Sequence, residues 1–275
     1  MLYLIAASLT WSFSFGLLHQ IRELDPLAVS LLRLGLAALM FLPFIRGGST
    51  MEILARLGIG IVQFGLMYCL YISSFRYLSP SEAAILTLTT PLWVLLLEAL
   101  ETRSFRLKHW LAGLMALGGA LLVKPPDALI DHGRGIALIQ GANLCFALGQ
   151  TLFKRWKGGG AVAPDMAWLY LGACLAPAAM LLGKGDLAQH FHFQPRQWLA
   201  LLYLGLIPSG LGFYLWNKGV TRSSLAAAAV CNNLKIPLGV LVSVLVFRDK
   251  VSWLNVAPAF ALMLTALLLV SRKAS

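Results

Sequence analysis

Along the chain, apolar runs of roughly twenty residues follow one another with short polar breaks between them. A helix needs about that length to cross a hydrocarbon core of about 30 Å. The runs fall near 2–19, 27–45, 56–77, 80–100, 107–123, 134–153, 164–183, 196–217, 223–247 and 252–270. They are too long and too continuous for barrel strands, and only helices satisfy their own backbone across so many lipid-facing stretches. The pattern predicts an all-α integral membrane protein with ten transmembrane helices. Nothing outside the runs is large enough for a soluble domain.

Polar residues inside the runs carry the candidate chemistry. The ninth run, "SSLAAAAVCNNLKIPLGVLVSVLVF", places Lys235 thirteenth of its twenty-five residues, close to the bilayer centre. A lysine there costs about 2.5–3.5 kcal/mol on insertion scales. Asn232 lies one helical turn before it, and Pro237 frees a backbone carbonyl near Asn233, where a kink is expected. One reading makes Lys235 a binder of a substrate carboxylate or phosphate, with Asn232 beside it. The other makes it structural, bonded to loosened carbonyls or paired with Glu82 or Glu98. Arg33, six residues into the second run, is expected to snorkel to an interface or form a structural ion pair.

Aromatic residues are the remaining pocket candidates. Tyr68 and Tyr71 share a face of the third run, and Tyr214 and Asn217 share one of the eighth. With Trp11, Trp93 and Trp216 they form a candidate binding set, against the alternative that Tyr and Trp anchor or pack. "LGIGIVQFG" in the third run and "GLIPSGLG" in the eighth, with Pro208 and Gly210, permit bending or close packing at corresponding places.

Those correspondences extend into an internal repeat. "WSFSFG" from Trp11 lies 133 positions before "LCFALG" from Leu144. "YCLYISSFRYLSPSEAAILTLTTPLWVLLL" from Tyr68 resembles "FYLWNKGVTRSSLAAAAVCNNLKIPLGVLV" from Phe213, with Pro91 against Pro237. Five spans per copy bring the second copy in from the opposite side. The predicted fold is therefore two inverted five-helix repeats, residues 1–123 and 134–271, and such repeats place a binding site near the midplane between them.

Composition agrees: the chain of 275 residues is 59% hydrophobic and 12% charged. Its net charge of +11 sits in short clusters between the runs, which reads as topology and excludes nucleic acid as a partner. Twelve basic residues on one side against eight on the other favour both termini in the cytoplasm. Cys69, Cys145, Cys174 and Cys231 lie within apolar runs, without CxxC or histidine partners, so neither disulfide nor metal site is expected. No HExxH motif and no acid–histidine cluster at membrane depth supports an enzyme, and no cofactor is implied.

The ten runs, "SPSEAAILTLTTPLWVLLLEALE", "GLGFYLWNKGV", "SSLAAAAVCNNLKIPLGVLVSVLVFRDK" and "GLMALGGALLV" resemble the EamA-type family of the drug/metabolite transporter superfamily over nearly the whole chain. Where that family often has a Glu after the fourth and ninth spans, this chain has Glu101 and Asp249. The resemblance implies a multi-pass inner-membrane carrier, exporting a small polar metabolite by alternating access. With an anion-seeking Lys235, an amino acid or related organic acid is the expected substrate. Export of lipophilic amines, with Lys235 structural, and carriage of sugar or nucleotide derivatives are the alternatives. A monomer is expected, since the repeat completes the fold within one chain.

Overall fold

The computed structural model describes residues 1–14, 17, 21, 23–78, 80–123, 133–157, 160–185, 187–242 and 253–271. Gly16, Asp249 and the far ends of the first and ninth expected spans lie outside the described residues. Within the described residues the chain is helical, with no strand among them.

The first helices are α1 (Leu2–Ser12), α2 (Pro26–Phe41) and α3 (Thr50–Gly60). The last of these passes through a π-helical turn, Ile61–Leu66, into α4 (Met67–Ser74). Then come α5 (Pro80–Thr87), α6 (Thr90–Thr102), α7 (Leu107–Val123), α8 (Gly133–Lys157) and α9 (Ala163–Leu182). A second π-helical turn, Gly205–Gly212, joins α10 (Pro195–Leu204) to α11 (Phe213–Val220). The chain ends in α12 (Leu225–Asn233), α13 (Lys235–Val242) and α14 (Trp253–Ser271). Six stretches are long and apolar enough to cross a membrane: Pro26–Phe44, Thr50–Ser74, Glu82–Thr102, Gly133–Lys157, Ala163–Leu182 and Pro195–Val220. Shorter apolar helices cover Leu2–Ser12, Leu225–Leu238 and Ala257–Val270. Outward-facing leucines such as Leu100, Leu199 and Leu254 are more than half exposed, which suits lipid rather than water.

Helix ends are capped by local chemistry. Asp25 accepts from the backbone N–H of Leu27 (2.8 Å) and Ala28 (3.2 Å) at the start of α2, with Pro26 at the first helical position. Its other carboxylate oxygen meets Lys184 Nζ at 2.7 Å, so a cap also ties α2 to the end of α9. At the start of α3, Ser49 and Glu52 form a reciprocal capping box.

Helix α9 packs along α2, α3 and the first π turn, and α8 packs along α4 and α6. The α3–α9 crossing is made close by a glycine on each side. A Cβ on Gly60 would meet the backbone of Leu169, and one on Gly172 the backbone of Leu57. Dispersion contacts over such close backbones are what hold helices together where lipid offers no hydrophobic contrast.

Prolines decide where the helices deviate. Pro208 has no N–H to give Leu204 four residues back, and Ser209 Oγ donates to that carbonyl instead, at 2.6 Å. Around this substitution the backbone widens into the second π turn. Pro91 likewise leaves the carbonyl of Thr87 without its helical donor, and Thr90 Oγ1 donates to it at 2.6 Å. The chain breaks there, between α5 and α6. Pro237 stands in the same relation to Asn233, and the chain breaks at Leu234, between α12 and α13. The two broken helices touch: Asn233 Nδ2 donates to Leu88 O at 3.2 Å, supplying one carbonyl that the first break exposes.

Candidate functional site

The breaks open onto a cavity of ≈ 100 Å³ between helices from both ends of the chain. Lys235, the first residue of α13, and Thr90, the first of α6, both line it, so both breaks contribute to the same space. A lysine in such a space favours an anionic ligand. Asn232 lines the cavity beside Lys235, and its Nδ2 has no hydrogen-bond partner. Lys235 is 8% exposed, and among the described residues no carboxylate pairs with it. Glu98, one of its expected partners, instead pairs with His109 at 3.3 Å.

Tyr68 and Tyr71 of α4 form one wall, and Trp11 of α1 forms part of another with Phe146 and Phe213. Trp11 is held by donating Nε1 to Pro208 O at 3.0 Å, and its ring lies 5.0 Å from Phe213 and 6.1 Å from Phe146. The lining thus combines aromatic rings with polar side chains, as a small-molecule site requires. Asn143 of α8 completes it; its Nδ2 donates to Leu86 O at 2.9 Å and to Thr89 Oγ1 at 3.1 Å, binding the α5–α6 break to α8.

Other predicted residues lie off the cavity. Trp93 donates to Gln140 Oε1 at 2.9 Å, and Tyr214 packs against Phe41 and accepts from Lys218 Nζ at 3.2 Å. Trp216 and Asn217 are fully buried in a separate amide layer behind the aromatic wall. There Trp216 Nε1 donates to Gln150 Oε1 (2.8 Å), and Gln63 Nε2 of the first π turn donates to Asn217 Oδ1 (2.8 Å). Trp216 still touches the site indirectly, with its ring 5.0 Å from Trp11. Pro91 and Pro237 mark the breaks, Pro208 lines the cavity, and Gly210 O accepts from Tyr170 at 3.3 Å within the second π turn.

Arg33 departs from its expected role. It neither snorkels nor pairs with an acid: it is 3% exposed and lines the cavity. Nε donates to Ser209 Oγ at 3.2 Å and Nη2 to Tyr68 OH at 3.0 Å, with the guanidinium 4.7 Å from the Tyr68 ring centroid. Ser209 is available there because Pro208 turned the backbone. Asn143, Ser209, Gln63 and Gln150 were missed by the sequence reading; the signal that singled out Lys235, a polar residue within an apolar run, marks each of them too.

Bundled membrane-crossing helices, two of them broken over a buried, cation-lined and aromatic cavity, define a multi-pass membrane transporter for a small molecule. The chain belongs to the EamA-like transporter family, whose sequence model matches residues 1–124 and 133–272. It is 34% identical to the "Biotin transporter" of Escherichia coli, over 99% of this chain and 93% of that protein. It is 33% identical to the "Probable biotin transporter" of Pseudomonas aeruginosa, over 90% of each. It is also 27% identical to the "Aromatic amino acid exporter YddG" of Ancylobacter novellus, over 58% of this chain and 56% of that protein. A solved crystal structure covers 98% of this chain and 96% of its own at TM-score 0.78 and 19% identity, a likeness of fold. The family's members are transporters, not enzymes, and the chain is a multi-pass inner-membrane protein with a small-molecule substrate.

Proposed function

We propose that this protein carries a small carboxylate-bearing metabolite, with biotin the first candidate, by alternating access through the cavity between two inverted five-helix repeats. In this reading the repeats are residues 1–123 and 134–271, the three shorter apolar helices and α7 (Leu107–Val123) complete ten spans with the six longer stretches, and both termini are cytoplasmic in a monomer. The observation that carries the substrate class is Lys235, opening a half-helix into the cavity with no described carboxylate to neutralise it. A buried charge without a partner is costly, so its partner is the cargo. The π turns in the third and eighth runs and the proline breaks in the fourth and ninth support the paired repeats, because each device recurs once per half. Biotin has one carboxylate on an apolar arm, which suits a cationic end and aromatic walls, and the relatives of highest identity given above are named a biotin transporter and a probable biotin transporter.

Export of an amino acid is the second reading, favoured by the similarity to the aromatic amino acid exporter. Purified protein in liposomes, given labelled biotin on one side at a time, measures substrate and direction together, with phenylalanine in parallel vesicles. Lys235→Ala is expected to lower biotin flux about tenfold or more, and Lys235→Arg to keep a measurable part of it. A folded Lys235→Ala variant that moves biotin at the original rate overturns the assignment. Phenylalanine moved in place of biotin selects the second reading.

A further inference from the structure

Lys235 is not the only cation facing the cavity. Arg33 comes from α2, at the other end of the chain, and its guanidinium meets the Tyr68 hydroxyl, the Tyr68 ring and the Ser209 hydroxyl, all neutral. Its Nη1 is buried and has no hydrogen-bond partner. Among the described residues no carboxylate pairs with Arg33 either, and the described cavity lining holds no Asp or Glu. Two positive side chains therefore share one space with aromatic walls, and Arg33 has a donor to spare. The guanidinium is planar and fixed at two of its nitrogens, so its position is set before any ligand arrives.

We propose that Arg33 and Lys235 form a two-cation clamp on the substrate carboxylate, and that the clamp selects carboxylates with no ammonium on the adjacent carbon. This rests on the carboxylate reading above and goes further, because it separates simple acids from α-amino acids. An α-ammonium sits one carbon from the carboxylate, so a zwitterion seated in the clamp brings its own cation beside two others with no acid to receive it. Ser209, which does not line the cavity, is a positioning residue that aims the guanidinium, and Tyr68 holds the same guanidinium from the cavity wall. The second π turn thereby becomes part of the site, since Ser209 is its residue and Arg33 its guest.

Three probes with the same aromatic body test this by calorimetry and thermal stabilisation of the full-length detergent-purified protein: 3-phenylpropionate, phenylalanine and phenethylamine. The expected order is 3-phenylpropionate tightest, phenylalanine about tenfold or more weaker, and phenethylamine without measurable binding. Arg33→Gln is expected to weaken 3-phenylpropionate about tenfold and to narrow its advantage over phenylalanine, while Arg33→Lys keeps the preference. Ser209→Ala retains the charge but loosens its aim, so it weakens the acid by a smaller factor and keeps the order. Phenylalanine binding wild type as tightly as 3-phenylpropionate overturns the clamp, as does a folded Arg33→Gln variant with unchanged affinity for the acid. Should Arg33→Gln fail to fold, the wild-type series and Ser209→Ala decide. Failure of wild type to bind either 3-phenylpropionate or biotin sinks the carboxylate reading itself, a different result from binding both acids without discriminating against phenylalanine.

Discussion

Gly58 and Gly60 stand two residues apart on α3, and alanine at the two positions should act in opposite directions. A Cβ on Gly60 would lie 2.6 Å from the carbonyl carbon of Leu169 and 2.8 Å from its Cα. Carbon atoms pack best at about 3.5–4.0 Å, and a backbone, unlike a side-chain tip, has no rotamer by which to yield. Helix α9 must shift, and overpacking of this kind costs about 1–3 kcal/mol. Against that stands the higher helix propensity of alanine, about 1 kcal/mol. A Cβ on Gly58 meets nothing within 4 Å, so only the propensity gain applies there. The propensity contribution cancels between the two variants, so the difference of about 1–3 kcal/mol isolates the close crossing. Unfolding of the purified protein in mixed detergent micelles, followed by circular dichroism, should place Gly60→Ala below wild type and Gly58→Ala at or above it. Equal shifts for the two variants would refute the claim that α3 and α9 touch through Gly60.

The ion cluster at Asp25 gives a pH-dependent prediction. Burial opposes ionisation of its carboxyl, but the hydrogen bond from Lys184, the amides of Ala28 and Leu27 and the Lys184 charge together hold it below its ordinary value of 3.8. His190 and Arg76 face the same carboxylate, at 3.4 Å and 3.7 Å. A lowered folded pKa means the contribution is complete above the ordinary value and is lost as pH falls through the folded one. Asp25→Asn should therefore melt lower than wild type at neutral pH, with the gap closing only below about pH 3.8; a gap already lost well above that value, or one unchanged far below it, would contradict it. Pro237→Ala restores the N–H that can bond Asn233 O across the break, so the protein should melt higher and transport more slowly. Melting temperature and initial flux, measured together, check this, and undiminished flux in a stabilised variant would argue against the break as a moving part.

Much of the site was legible because a membrane makes polar residues conspicuous. Lys235, Asn232, Tyr68, Tyr71 and Trp11 were singled out from their place in apolar runs, and they line one cavity. Prolines were equally readable, since a missing N–H acts at a fixed distance back along the same helix. Less readable was which polar residue faces what. Asn217 and Trp216 carry the same signal as Asn232, yet they are spent within a buried layer on Gln63 and Gln150. Arg33 looked close enough to an interface to reach it, a judgement made from distance along one helix, whereas Tyr68 and Ser209 hold it inward from two others.

The sequence by itself determined the helices, their apolar surfaces, the places where they bend and the presence of a charge in the middle of an apolar run. These follow from periodicity, run length and backbone chemistry, all of which act within a few residues. Only the tertiary structure decided that Arg33, 202 positions from Lys235 in the chain, faces the same cavity, and that Tyr214 and Trp93 do not. That choice depends on the rotation of each helix about its own axis. In a bundle where lipid and protein are both apolar, rotation is set by close backbone contacts and by the polar partners available across helices.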